Sequence, residues 1–296
     1  MTDAIDDDLN SLLGTRPLPR RGFMIGSLAG GFALSVAPTG ALLAQTIHTD
    51  SSGLLAGEVG VPVADGRIAA YRAQPAGKTG LPTVLVVQEI FGVHEHIRDV
   101  CRRFAKLGYQ AVAPELFARQ GDASTYKSIP ELLSNVVAKV PDAQVMADLD
   151  ATAAWAASNG GDPERLGITG FCWGGRIVWL YSAHNPRLKA GVAWYGTLTR
   201  PATPLSPTNP YDVAGKLNAP VLGLYGGKDA GIPQDTISEM KARLERGSAA
   251  ARQSQFIVYP DAEHAFNADY RPSYRKDAAE DGWIRALSWF RRNGLG

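Results

Sequence analysis

One cysteine in this chain lies among glycines in a way that suits a nucleophile. Residues 170–175 read Gly-Phe-Cys-Trp-Gly-Gly, an apolar run at 166–169 precedes them, and a helical pattern over 176–183 follows. Strand, sharp turn and helix in that order form a nucleophile elbow, which needs small residues because the turn brings backbone segments into contact. The sulfur of Cys172 would then lie at a helix N-terminus, where the helix dipole favours the thiolate form.

A nucleophilic thiol needs a base to accept its proton and an acid to orient that base. Asp229 and His264 follow the apolar runs at 221–225 and 255–259, so the order is nucleophile, acid, histidine, as in α/β-hydrolases. Each would lie just past the carboxyl end of a strand, at the edge of a parallel sheet where ligands bind. Either residue alone is usually a turn former or a surface residue, but together with Cys172 they favour a catalytic triad.

The oxyanion that forms during acyl transfer needs two N–H donors that are already in place. The N–H of Trp173, directly after the nucleophile, supplies one of them in an elbow of this kind. The second is expected from the loop that follows the apolar run at 83–87, and this loop reads Gln-Glu-Ile-Phe-Gly-Val over 88–93.

Four motifs taken together resemble the dienelactone hydrolase family. They are the Gln-Glu-Ile-Phe-Gly segment at 88–92, the elbow at 170–175, the Gly-Gly-Lys-Asp turn at 226–229 and His-Ala-Phe at 264–266. The resemblance extends over essentially the whole chain from about Glu58 onward. It implies an α/β-hydrolase fold and cleavage of lactones and related esters through a Cys-His-Asp triad.

The same resemblance implies roles for individual residues. Cys172 would be the nucleophile, His264 the base and Asp229 the acid that orients it. Ile90 would supply the second oxyanion donor, and Glu89 would contact the resting thiol until the substrate displaces it. Because a carboxylate beside a thiol opposes a second negative charge, its displacement would promote thiolate formation. The alternative for Glu89 is a surface loop acid or a salt-bridge partner.

Two aromatic residues are candidates for the wall of a substrate pocket. Tyr195 follows the strand pattern at 190–194, and a partly buried structural aromatic is the alternative reading for it. Phe91 belongs to the predicted oxyanion loop. The best-known members of the family place an arginine shortly after the histidine to bind a substrate carboxylate. Here the nearest downstream arginine is Arg271, seven residues after His264.

The segments that must carry these side chains alternate between strand and helix patterns. An Asp-Gly turn at 65–66 joins the first two strands, and the later apolar runs are typical of strands buried on both faces of a sheet. The predicted strands cover 58–63, 67–73, 83–87, 110–113, 166–169, 190–194, 221–225 and 255–259, and the predicted helices cover 94–107, 143–158, 176–183, 234–245 and 274–292. This alternation predicts an α/β-hydrolase fold, with a mostly parallel sheet and helices on both faces.

The first 44 residues differ from the rest of the chain. They contain Arg-Arg-Gly-Phe at 20–23, a weakly apolar stretch at 25–37 and small residues after it. This order resembles a twin-arginine signal peptide, and the alternative is a disordered basic tail with a short amphipathic helix. We therefore predict a leader over 1–44, export to the periplasm or beyond the cell, and a dienelactone hydrolase-like catalytic domain over 45–296.

Composition limits the partners of this protein. Thirty basic residues balance 29 acidic ones, so nothing points to nucleic acid or to an acidic membrane surface. The apolar stretch at 25–37 is too short for a stable membrane span. The expected partner is a small ester or lactone, with no metal and no cofactor, and the expected state is a monomer or a weak dimer. The His-Glu-His at 94–96 lacks the spacing of a zinc-binding helix.

The chain has two cysteines, and we expect no disulfide between them. Cys101 lies within a helical pattern and is interpreted as a small packed apolar residue. Two other functions remain open at this point. One is a non-catalytic domain of the same fold that binds a small ligand. The other is a thiol redox sensor acting through Cys172, although no resolving cysteine accompanies the elbow.

Overall fold

The computed structural model of the chain describes residues 46–296, whose strands pair into an eight-stranded sheet. The predicted leader over residues 1–44 lies outside the described residues, so the leader and the export that it implies stay predictions. Across residues 46–296, no helix combines the length and the apolar character that a membrane crossing requires.

The sheet is mostly parallel. Its strands are β1 (Leu54–Val63), β2 (Gly66–Pro75), β3 (Leu81–Val87), β4 (Gln110–Pro114), β5 (Gly161–Phe171), β6 (Leu188–Trp194), β7 (Val221–Gly226) and β8 (Gln255–Tyr259). The order across the sheet is β1-β2-β4-β3-β5-β6-β7-β8. The β1–β2 and β2–β4 pairs are antiparallel, and every other neighbouring pair is parallel. This topology confirms the predicted α/β-hydrolase fold.

Helices cover both faces of the sheet. The described residues form α1 (Glu95–Lys106), α2 (Ile129–Asn135), α3 (Asp142–Ser158), α4 (Trp173–His184), α5 (Pro210–Val213), α6 (Gln234–Glu245), α7 (Ala249–Gln253) and α8 (Lys276–Phe290). On one face, α1 meets α8 through the rings of Phe104 and Trp283, whose centroids are 4.5 Å apart. On the other face, α3 meets α4, where the Tyr181 hydroxyl donates to Asp150 Oδ1 at 3.0 Å.

Two short helices, α5 and α7, were not predicted from the sequence. Each is five residues or fewer, which is too short for an apolar repeat to show in the sequence. Their ends nevertheless carry local signals. In α5, for example, Pro210 occupies the first turn, and the side chains of Asn209 and Asp212 form a capping box.

Burial of the central strands on both faces explains why their apolar runs could be recognised in the sequence. Residues 84–87 of β3 have no exposed surface, since helices cover both faces of the sheet there. Cys101 on α1 is equally buried, and burial raises the pKa of its thiol far above its ordinary value. Both cysteines are free, so the expected absence of a disulfide between them is confirmed.

Candidate active site

Cys172 lies between β5 and α4 in a strained backbone conformation. Its φ of 54° and ψ of −115° are rare for a residue with a side chain, and such outliers cluster at functional sites. The N–H of Cys172 donates to the carbonyl oxygen of Trp194 at 3.0 Å, at the end of β6. The thiol is therefore held at the carboxyl edge of the sheet, beside the first turn of α4.

Close backbone packing explains the glycines of the elbow. A Cβ atom added at Gly170 would lie 2.3 Å from the carbonyl oxygen of Gly174. One added at Gly174 would lie 2.5 Å from the Gln88 carbonyl oxygen, and one at Gly175 would lie 2.5 Å from the Trp194 carbonyl oxygen. These distances are too short for a side chain, so only glycine lets α4 approach the ends of its neighbouring strands.

The loops after β7 and β8 bring Asp229 and His264 together. They pack so closely that a Cβ at Gly226 would lie 2.5 Å from the Ala262 carbonyl oxygen. The Nδ1–H of His264 donates to Asp229 Oδ2 at 2.7 Å, and Asp229 Oδ1 accepts the Gly231 N–H at 3.0 Å. Both side chains are buried. With its Nδ1 proton committed to Asp229, the imidazole has Nε2 available to accept a proton.

The imidazole of His264 also responds to Cys172. Its Nε2 is buried and makes no hydrogen bond. Burial lowers the pKa of His264, but the negative charges of Asp229 and of the Cys172 sulfur raise it more, so the pKa lies well above its usual value. Sulfur, imidazole and carboxylate therefore form one electrostatic cluster around His264.

The backbone N–H groups of Ile90 and Trp173 are the two predicted oxyanion donors. Within residues 46–296, no hydrogen bond uses the N–H of Ile90 or that of Trp173, the first residue of α4. The Ile90 loop is held by Glu115, whose Oε2 accepts the Val93 N–H at 2.8 Å. Gly92 in this loop has a φ of 74°, and a Cβ there would lie 2.9 Å from the same carboxylate oxygen. The sequence analysis did not single out Glu115.

Residues 68–294 match the family model described as "Dienelactone hydrolase family". The chain belongs to the dienelactone hydrolase family. It is a hydrolase, and its relatives agree with this assignment over most of its length. A "Putative carboxymethylenebutenolidase" of Methylorubrum extorquens AM1 is 61% identical over 293 residues, which are 99% of this chain and 99% of the relative.

Two further relatives extend the comparison. A protein of Escherichia coli K12 that carries the same name is 56% identical over 265 residues, which are 89% of this chain and 96% of the relative. A crystal structure named "Putative Dienelactone Hydrolase", from Klebsiella pneumoniae subsp. pneumoniae MGH 78578, is 58% identical with a TM-score of 0.78. The match covers 81% of this chain and 99% of that one.

Glu89 of this dienelactone hydrolase family member is a buried anion. Its Oε2 accepts a hydrogen bond from the Tyr270 hydroxyl at 2.5 Å and lies 3.6 Å from His94 Nε2, while its Oε1 makes no hydrogen bond. Burial raises the pKa of Glu89, but its side-chain contact with His94, followed by the charges of His96 and Arg271, lowers it to about 2. Glu89 is therefore not a surface acid, and its only ion-pair partner within residues 46–296 is His94, at 3.6 Å. Its contact with the resting thiol stays a prediction.

The low pKa of Glu89 predicts a measurable effect on stability. A carboxyl whose pKa falls from 4.5 to about 2 on folding stabilises the fold above about pH 4.5 and stops doing so as the pH falls through about 2. Between pH 6 and pH 2, the free energy of unfolding should fall by roughly 3 kcal/mol less in Glu89→Gln than in the wild type, because the variant lacks this carboxyl. Urea unfolding across this pH range measures the difference. Glu245→Gln, at an exposed position, is the matched control, and equal pH slopes for all three proteins would contradict the prediction.

The two predicted pocket residues, Tyr195 and Phe91, lie close to other residues of the candidate site. Tyr195 has a φ of 39°, and the centroid of its ring is 5.1 Å from that of His264. Its hydroxyl is buried without a hydrogen bond, and its role in a substrate pocket stays a prediction. The guanidinium of Arg271 lies 5.8 Å from the centroid of the Phe91 ring. The seven-residue spacing therefore still brings this arginine to the site.

The sequence analysis missed two residues of the Glu89 environment, Tyr270 and His94. His94 was considered only for metal spacing, and within residues 46–296 no cluster of three or more potential ligands could hold a metal ion. Tyr270 follows His264 by six residues and belongs to no recognisable motif. Its place in the short loop after His264 is the one signal in the sequence that could have pointed to it.

Proposed function

We propose that this hydrolase cleaves lactones or small carboxylic esters, with Cys172 as nucleophile, His264 as base and Asp229 as the acid that orients it. The observation that carries the proposal is the His264–Asp229 hydrogen bond, formed beside a thiol at a strained elbow. Two N–H groups without partners adjoin that thiol, as the tetrahedral intermediate of acyl transfer requires. Nothing in the proposal needs a metal or a cofactor.

Acylation is the first half of the proposed reaction. His264 Nε2 takes the proton of the Cys172 thiol, and the thiolate forms a bond to the carbonyl carbon of the substrate. The Ile90 and Trp173 N–H groups donate to the oxyanion of the tetrahedral intermediate. When the intermediate collapses, the ester C–O bond breaks and the His264 imidazolium protonates the leaving oxygen. In a lactone the leaving oxygen stays attached to the acyl group, so the ring opens on the enzyme.

Hydrolysis of the thioester is the second half. His264 Nε2 removes a proton from a water molecule, whose oxygen attacks the thioester carbon while the same two N–H groups hold the oxyanion. The C–S bond then breaks, the carboxylic acid leaves, and the proton on His264 returns to the sulfur. Asp229 stays ionised throughout and holds the imidazole in the tautomer that can accept at Nε2.

The relatives are named carboxymethylenebutenolidases, and we extend the lactone class of that name to this chain. The support is 56–61% identity over most of both chains. The sequence of steps above applies equally to small open-chain esters, because no step depends on the ring.

Trapping the thioester tests the proposal directly. The enzyme is mixed with a panel of lactones and p-nitrophenyl esters, quenched in acid within milliseconds, and analysed by intact mass and by peptide mapping. One acyl group on the peptide that contains Cys172, formed as fast as p-nitrophenol is released, is the expected result. Acylation at another residue would overturn the mechanism. Binding without turnover would favour a ligand-binding domain, and thiol oxidation without turnover a redox sensor.

A further inference from the structure

A tyrosine outside the proposed triad joins the two loops that carry its functional groups. The Tyr270 hydroxyl donates to Glu89 Oε2 at 2.5 Å, across a separation of 181 residues. Tyr270 is 7% exposed and Glu89 is 1% exposed, so water does not compete for this hydrogen bond. Tyr270 follows His264 in the loop after β8, and Glu89 directly precedes Ile90 in the loop after β3.

We propose that Tyr270 is a positioning residue of this hydrolase: its hydroxyl holds the Glu89 carboxylate in the resting site and screens its charge from Cys172. The inference rests on the proposed function, because the screening affects catalysis only where Cys172 is the nucleophile. It adds a partner for Glu89 that neither the motifs of the chain nor its proposed triad contains.

The position of the Tyr270 hydroxyl is fixed by its neighbour in the chain. Asp269 accepts hydrogen bonds from Arg103 at 2.6 Å and from the backbone N–H of Ile47 at 3.2 Å, and it contacts His96 Nδ1 at 3.0 Å. Arg103 and His96 both belong to α1, so the loop is fastened to this helix one residue before Tyr270. A hydroxyl on a fastened loop holds its acceptor better than one on a free loop, since less conformational entropy is lost.

The other groups around Glu89 do not replace this hydrogen bond. The imidazole of His94, whose pKa is lowered by burial, has its Nε2 3.6 Å from Glu89 Oε2, which is beyond hydrogen-bond distance, and its ring packs edge-on against Tyr270 with centroids 5.0 Å apart. The remaining titratable groups act at longer range. The groups that interact electrostatically with Glu89 or His94 are His96, Arg271, Tyr195 and Glu115. The groups that interact electrostatically with Cys172 are His264, Tyr195 and Tyr270.

The thiol and the carboxylate share two neighbours, which is why the screening matters. The charges of both Glu89 and Cys172 raise the pKa of Tyr195 and of Tyr270, in each case after the larger effect of burial. An anion that shares these neighbours with the thiol opposes the formation of a thiolate. By donating a hydrogen bond, the Tyr270 hydroxyl withdraws part of the negative charge of the Glu89 carboxylate. The same hydrogen bond holds the carboxylate on the Tyr270 side. Without this donor, the full charge of Glu89 acts on the sulfur.

Alkylation of the thiol tests the proposal without any substrate. The pseudo-first-order rate of reaction with iodoacetamide is followed from pH 5 to pH 10 in the full chain and in Tyr270→Phe, and the modified peptide is identified by mass. Tyr270→Phe should react about tenfold more slowly at pH 7, with the rate–pH profile displaced by about one unit toward alkaline pH. Cys101 does not interfere, because it has no exposed surface.

A double-mutant cycle separates charge screening from loop packing. Glu89→Gln removes the charge, so its thiol should react faster than that of the wild type, and adding Tyr270→Phe should then change the rate by less than twofold. Tyr274→Phe, a partly exposed tyrosine of the same loop that makes no hydrogen bond to Glu89, is the matched control and should keep the wild-type profile. Circular dichroism and thermal midpoints establish that each variant is folded.

Three outcomes would overturn the proposal: an unchanged profile in Tyr270→Phe, an equal shift in the Glu89→Gln background, or no acceleration in Glu89→Gln alone. The last one decides the matter even where Tyr270→Phe fails to fold. Failure of the proposed function looks different. In that case the thiol is alkylated with the expected profiles, but no acyl group from an ester is found on Cys172.

Discussion

Replacing Cys172 with alanine is expected to abolish ester turnover and leave the protein folded. The substitution removes the sulfur that we propose forms the thioester, and the two proposed N–H donors and the His264–Asp229 pair alone would stabilise only a slow attack by water. We expect kcat/KM to fall by at least about 10⁴-fold. Release of p-nitrophenol from a chromogenic ester measures the loss, and circular dichroism shows that the fold is kept.

Cys101→Ala is the matched control, because it removes the other thiol of the chain. Cys101 is fully buried on α1, away from the carboxyl edge of the sheet where the site lies. The control should keep its kcat/KM and lose roughly 1–2 kcal/mol of unfolding free energy through the small cavity that it creates. Turnover retained in Cys172→Ala, after correction for the uncatalysed rate, would refute the proposed nucleophile.

Asp229→Asn should lower kcat by about 10³- to 10⁴-fold with little change of volume. The wild-type carboxylate accepts the Nδ1–H of His264 at 2.7 Å and raises the pKa of the imidazole. An amide in its place donates to Nδ1 through its own N–H, so the imidazole proton moves to Nε2 and that nitrogen can no longer accept one from the thiol. The imidazolium also loses its counter-charge. Steady-state kinetics over pH 5–10 should show the loss in kcat and a displaced profile.

Asp261→Asn tests whether any aspartate near this edge has the same effect. Asp261 is exposed in the loop before His264, and its Oδ1 pairs with Lys228 at 2.6 Å. Exposed ion pairs contribute little, so its kcat and pH profile should match those of the wild type. A similar loss in both variants would mean that the loops, rather than the charge on Asp229, determine the rate.

Most of the sheet could be predicted because its strands are buried on both faces. Apolar runs such as 83–87 and 221–225 differ clearly from the polar turns around them, so their positions were right to within a few residues. The start of β5 was the main exception. Residues 161–165 belong to β5 but contain charged and proline residues, and of them only Gly161 pairs with β3, opposite Leu81, before the register shifts. Short helices without an apolar repeat were missed for the related reason that tertiary contacts stabilise them.

The parts of the candidate site that depend on a backbone motif could be predicted from the sequence. The elbow glycines and the Gly-Gly pair before Asp229 are needed because backbone segments of strands and loops are in close contact there. The glycines themselves can be recognised in the sequence. Glu115 and Tyr270 were not predictable. Each acts through a hydrogen bond to a loop remote in sequence: Glu115 and Val93 are 22 positions apart, and Tyr270 and Glu89 are 181 positions apart. A single hydrogen bond between residues so far apart produces no periodicity or characteristic spacing in the sequence.

The sequence by itself determined the fold class, the family resemblance and the types and order of the three proposed triad residues. All of these follow from local patterns: runs of apolar residues, turn glycines and the residues that come just after each strand. Only the tertiary structure decided that Glu89 is buried, that Tyr270 holds it and that Arg271 reaches the site. The physical reason is that burial and long-range hydrogen bonds depend on which loops meet at one sheet edge, and a chain read in order does not contain that information.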